Sequence, residues 1–181
     1  MIFEQVRNPL ESQDRTAARR TLLQRIFGVF ETNFPDLNFR ILDRVTAVNA
    51  QASISNDIRS VDLFGGFAYH PKIGHDALVF MLLHETGHHL SRGCRLPWMQ
   101  QLACDCAADC WAVTEGKATL QKSNCGFAIE PALRQIERAA NLKSHVVTKV
   151  GRSKCSFLNW AKRKRGLIEA KPDVRNSCGI V

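Results

Sequence analysis

Ala77 to Leu83 is an unbroken apolar run that continues, with no turn residue, into His84-Glu85-Thr86-Gly87-His88-His89. A helix over this stretch is apolar on every side in its first turns, so it has no face to offer water and must be buried. Whatever fold the chain adopts has to close around it. His84 and His88 are four residues apart, so on a helix they share a face and both can reach one metal ion. Glu85 lies beside them, placed to take a proton from a water held there. Asp76 is expected to cap the helix and Ser91-Arg92-Gly93 to close it after Leu90. Gly87 costs roughly 1 kcal/mol against alanine inside a helix. Room for a neighbouring backbone or for the metal gives a physical reason for it.

Two histidines leave a zinc ion one short of its usual three protein ligands. The segment Cys104-Asp105-Cys106-Ala107-Ala108-Asp109-Cys110-Trp111-Ala112 can supply the rest. A helix from Trp98 to about Val113 would place Asp105 and Asp109 on one face. Asp105 is the expected third ligand. Asp109 is expected to hydrogen-bond the free ring nitrogen of a ligating histidine and so hold its orientation.

HExxH followed by a second helix with an acidic residue, then Ala-Asp, an aromatic and Ala, resembles the gluzincin pattern. The chain is similar to the small minigluzincins and to the ImmA/IrrE family, through His84, Glu85, His88, Asp105, Ala108, Asp109, Trp111 and Ala112. The resemblance covers Val45 to Ala112. It implies a zincin-like domain, Zn2+ as cofactor, and hydrolysis of a peptide or protein substrate with Glu85 as general base. A regulatory ImmA-like peptidase acting on a repressor and a non-catalytic zincin-fold binding module are the alternatives. These families usually carry Glu where this chain has Asp105. Aspartate is one methylene shorter, so the second helix has to come closer to the metal by about 1.3 Å, near one bond length.

The remaining pattern predicts an α+β fold. A backing helix spans Arg15 to Phe34, with Leu22, Leu23, Ile26, Phe27, Val29, Phe30 and Phe34 at helical spacing. A small twisted sheet follows, with strands at Leu37–Ile41, Arg44–Ala52 and Ser60–Phe64. Gly65-Gly66 suggests close approach of another backbone. For a peptidase that backbone would be substrate added along an edge strand. Gly65, Gly66 and Phe67 are the substrate-binding candidates on this reading, with a bulge or turn as the alternative. Tyr69 is the catalytic candidate for polarising the carbonyl, with His70, His75 and His89 as rivals. The active-site helix, the ligand helix and an amphipathic helix over Pro131–Leu142 complete the domain.

The chain's 181 residues suffice for one domain. Residues 1–140 are expected to form it and 141–181 a basic C-terminal region, docked or partly disordered. That region carries ten Lys and Arg against two acidic residues, so it holds the whole excess of the net charge of +8. Lys162-Arg163-Lys164-Arg165 at its centre would attract nucleic acid or another acidic partner. Met1 to Gln13 lacks the apolar core of a signal peptide, and no run is long enough to be a transmembrane segment. A cytoplasmic location is expected, with an exported effector lacking a classical signal as the alternative. The seven cysteines are then expected as reduced thiols.

Overall fold

Helix α1 (Ala17–Asn33) begins where Thr16, its N-cap, accepts a hydrogen bond from the Arg19 amide. The computed structural model that shows this describes residues 7–141 and 160–169, the side chains of 160–162 excepted. Leu23, Ile26, Phe27 and Phe30 recur at helical spacing and are buried. Phe30 meets Phe39 edge-on, with ring centroids 5.5 Å apart, which seats α1 on the back of the sheet.

The sheet is small and mixed, and with the helices it gives an α+β fold. Strands β1 (Asn38–Leu42), β2 (Ala50–Ser55) and β3 (Ile58–Phe64) lie in the order β1-β3-β2. β1 runs parallel to β3 and β2 antiparallel to it. The second strand is displaced from the expected Arg44–Ala52. Asn56 and Asp57 both take positive φ, at 49° and 61°, and make the tight turn that carries pairing out to Ser55.

The residues before Ala50 form a loop instead, and that loop explains the two glycines. Gly65 and Gly66 start a buried helical turn, α2 (Gly65–Ala68), in which an added Cβ would strike the carbonyl oxygens of Asp43 and Thr46. A backbone does approach closely, but it is the chain's own. Phe67 is fully buried in the core. β3 is the central strand, with β1 and β2 at the two edges. Gly65, Gly66 and Phe67 are therefore packing positions, a correction to the substrate-binding expectation.

Helix α3 (His75–Leu90) is buried at every residue from Ala77 to His89, as its composition demands. Its N-terminus is not capped by Asp76. The N-cap is Gly74, and Gln135 reaches in so that its Oε1 accepts from the Gly74 amide at 2.8 Å. Asp76 instead accepts from the amide of Ala128 at 3.0 Å. Ala128 is the N-cap of α6 (Ile129–Ala139), so each helix supplies a side chain to the start of the other.

The expected helix from Trp98 begins only at Asp105. Residues before it form a hairpin of β4 (Arg95–Leu96) and β5 (Met99–Ala103), turning at Pro97, which cannot donate to a helix ladder. The base of this hairpin brings the Cα atoms of Cys94 and Cys104 to 5.5 Å, and the two are joined as a disulfide. This corrects the expectation of reduced thiols at these two positions. Helix α4 (Asp105–Trp111) follows and passes through one π-helical turn (Ala112–Gly116) into α5 (Lys117–Lys122). Helix α7 (Trp160–Ile168) packs on α4 and α6, with Leu167 in the core. Among the described residues no helix is long and apolar enough to cross a membrane.

At Gly87 the helices α3 and α4 cross so closely that an added Cβ would lie 2.7 Å from the Ala108 carbonyl oxygen. Gly87→Ala should lower stability despite a helix-propensity gain of about 1 kcal/mol, because overpacking against a backbone costs about 1–3 kcal/mol. Denaturant unfolding tests this, and a midpoint that rises would show that the two helices can part freely.

Candidate metal centre

Three buried groups meet where α3 crosses α4. One ligand atom each from His84, His88 and Asp105 lies within 4.8 Å of the other two. The Nε2 atoms of His84 and His88 are 3.1 Å apart, and His84 Nε2 is 3.6 Å from Asp105 Oδ1. The close helix crossing at Gly87 gives the short aspartate side chain its reach.

The ring tautomers follow from what the outer nitrogens touch. His84 Nδ1 is 2.7 Å from a carboxylate oxygen of Asp109, and His88 Nδ1 is 2.6 Å from the Ala103 carbonyl. Both partners only accept, so both Nδ1 atoms carry hydrogen and donate it. The two Nε2 lone pairs then face one another at 3.1 Å, an arrangement that needs a cation or a proton between them. Burial, the largest influence, works against a charged His84. The carboxylates of Asp109, Asp105 and Glu85 outweigh it and hold the ring up at about 9. Burial and the neighbouring His84 keep His88 below its ordinary value. A proton and a metal thus compete for one position.

Two buried carboxylate oxygens have no hydrogen-bond partner among the described residues, Asp105 Oδ1 and Glu85 Oε1. Leaving such atoms unpaired costs about 1–3 kcal/mol each, more if charged, and a metal with its water satisfies both. Glu85 is anchored through its other oxygen, which accepts from the Ala52 amide on β2 at 2.7 Å. Its two oxygens lie 4.0 and 3.9 Å from the Nε2 atoms of His84 and His88, beside the ligand set rather than in it. The donor set of two imidazoles and a carboxylate suits a borderline divalent ion.

A cleft of about 310 Å³ opens onto the centre between β2 and the β4–β5 hairpin. Glu85 and His88 line its floor, and Phe64, Trp98, Met99 and Leu102 supply apolar walls. Tyr69 is not among its residues. It lies under the Arg15 guanidinium, 4.2 Å from the ring centroid, and shares a separate hollow with Arg20 and Phe39. Burial and a hydrogen bond to Asp43 push its phenol up. The catalytic expectation for Tyr69 is corrected on this placement. His70 accepts from the Lys72 amide, His75 stands beside Cys125, and His89 contacts the Ser60 carbonyl, so none of the three faces the cleft.

One residue beside the candidate centre lay hidden in the basic run. Arg163 of α7 is only 7% exposed and grips Asp109 with two hydrogen bonds of 2.7 and 2.8 Å. It also stands 3.5 Å from Asp105 Oδ1. Burial would push Asp105 up, but His84 and Arg163 hold it well below the usual carboxylate range. The same opposition, led by Arg163, lowers Asp109. Spacing offered one signal: Arg163 and the apolar Leu167 are four apart, and both are buried. Lys164 pairs with Glu137 of α6 at 2.8 Å, so a second charge of the run is also held within the fold.

No known protein family, curated protein or solved structure matches this chain.

Two predictions follow from the geometry. Asp105→Ala should weaken binding of Zn2+ at least about tenfold by chelator competition. Unchanged affinity would move the third ligand elsewhere. The second concerns the metal-free protein. A His84 raised from 6.5 to about 9 contributes stability that is complete below 6.5 and lost as the pH climbs through about 9. His88, with a lowered value, opposes it only below 6.5. Thermal stability of the metal-free protein should therefore fall between these limits, and bound metal should flatten the profile. A flat profile without metal would contradict the proton bridge.

Proposed function

We propose that the chain is a zinc-dependent peptidase of the gluzincin type, with Zn2+ held by His84, His88 and Asp105. The observation that carries this reading is the state of Glu85. It is fixed at one oxygen by the Ala52 amide, while the other, buried and unpaired, lies 4.0 Å from His84 Nε2 on the floor of an open cleft. A metal scaffold needs only ligands, whereas a general base needs this free oxygen next to them. That contrast disfavours a non-catalytic binding module.

Zinc in this position would supply an acidified water and a Lewis acid for the scissile carbonyl. The chain's own residues do the rest. Glu85 Oε1 takes the proton of the attacking water and passes it to the leaving amine, and the Ala52 hydrogen bond keeps the carboxylate pointed at that path. Asp109 and the Ala103 carbonyl hold both imidazoles in the tautomer that turns Nε2 inward. The free edge of β2 borders the cleft, which suits an extended peptide lying alongside as an added strand. The zincin-like fold is proposed on the same ground: backing helix, small sheet, active-site helix and ligand helix occur in the expected order.

The polyanion reading of the basic region draws less support, because Arg163 and Lys164 pair with acidic groups of the fold. Residues 142–159 and 170–181 of that region lie outside the described residues.

Glu85→Gln keeps the shape of the side chain and removes the base. It should retain zinc and reduce cleavage of a casein-type unfolded substrate by about 10²–10⁴-fold. A variant that cleaves as fast as the parent would falsify the role of Glu85.

A further inference from the structure

Asp105 and Asp109 come from one turn of α4, but the cation that faces both comes from α7, 54 residues beyond Asp109. Arg163 is as buried as the carboxylates it serves, and its contacts run behind the centre, away from the cleft. It therefore touches neither the reacting atoms nor a bound peptide. Three carboxylates, Glu85, Asp105 and Asp109, with one guanidinium leave two net negative charges around the histidines. That is the charge of one divalent cation, so the buried cluster is balanced when Arg163 and the metal are both present. A forked donor also fixes direction. Two parallel hydrogen bonds set the plane of the Asp109 carboxylate, and that plane sets the ring of His84.

We propose that Arg163 is a positioning residue of the metal centre, and that through it metal binding and the docking of α7 strengthen one another. The inference rests on the metal-centre reading given above. Two opposing effects decide its sign. Removing a nearby positive charge favours a divalent cation by simple attraction. It also frees Asp109 and Asp105 to turn away or take up protons, and disturbing such an outer partner typically costs 10–100-fold in metal affinity. In a site this buried the loss of orientation wins, because carboxylates this far from solvent find no ready replacement for the fork. Reciprocity then requires bound metal to stabilise the docked α7 by the same factor that α7 strengthens the metal.

The test compares the full chain with Arg163→Gln and Arg163→Lys, using Zn2+ affinity by chelator competition and the visible spectrum of the Co2+-loaded protein. Arg163→Gln should bind Zn2+ about 10–100-fold more weakly and show shifted Co2+ bands. Arg163→Lys, which keeps the charge but not the fork, should recover only part of both. Hydrogen exchange across 160–168 should slow when Zn2+ is added to the parent chain and not to Arg163→Gln. Should Arg163→Gln fail to fold, Leu167→Ala unseats α7 without touching either carboxylate and is expected to weaken Zn2+ in the same direction. The proposal is overturned if folded Arg163→Gln binds Zn2+ as tightly as the parent, or if Arg163→Lys equals the parent in both affinity and spectrum. A parent chain that takes up no Zn2+ would instead remove the centre itself.

Discussion

An ionisable group carried into a dry interior has to find its partner there, and that constraint organises this molecule. Helix α3 is apolar enough to be buried along nearly its whole length, and it takes His84, Glu85 and His88 inside with it. Each then meets a specific answer from another element. Asp109 of α4 answers the outer nitrogen of His84, the β5 carbonyl of Ala103 answers that of His88, and the β2 amide of Ala52 answers Glu85. The inward nitrogens and two carboxylate oxygens are what remain, and they converge. The candidate centre is thus made of what these three side chains leave unanswered, which is why its geometry suits a cation.

Much of this could be read from the chain before any coordinates. The apolar run with its two histidines and the Asp105/Asp109 pair are local patterns, and helical periodicity translates them directly into faces. The crossing at Gly87 was legible for the same reason, since glycine in a buried helix needs a close neighbour to justify it. Three of the misreadings share a cause, which is that the deciding partner lay far away in sequence. Gly65 and Gly66 signalled a close backbone correctly, but periodicity cannot say whose backbone it is. Asp76 looked like a cap because it stood in the right place, yet Gln135, from a different helix, took the role. Arg163 looked like one charge in a solvated run, and only tertiary packing shows it under cover.

The wall of the cleft shows how a small element can have two duties. The β4–β5 hairpin replaces what helical spacing suggested, and it supplies both the apolar surface of Trp98, Met99 and Leu102 and the carbonyl that orients His88. Its base is pinned twice, by the Cys94–Cys104 disulfide and by the hydrogen bond from the Cys104 amide to the Cys94 carbonyl at 2.7 Å. Cys104 is also the N-cap of α4, one residue before Asp105 of the candidate centre. The surface that would meet a substrate and the atoms that would hold the metal are therefore joined by a single short, cross-linked stretch of chain.

The remote origin of Arg163 gives the centre an order in time. A chain emerging from the ribosome at about 5–20 residues per second makes its N-terminal part first. His84, His88, Asp105 and Asp109 are all synthesised before the 54 residues that separate Asp109 from its guanidinium have been added. For roughly 3–10 s at those rates the nascent chain carries these acids and imidazoles with their built-in counter-charge still unsynthesised. In that interval Asp105 and Asp109 lack the guanidinium that faces both of them in the finished fold. The centre thus gains its built-in counter-charge only after every one of its candidate ligands has been made.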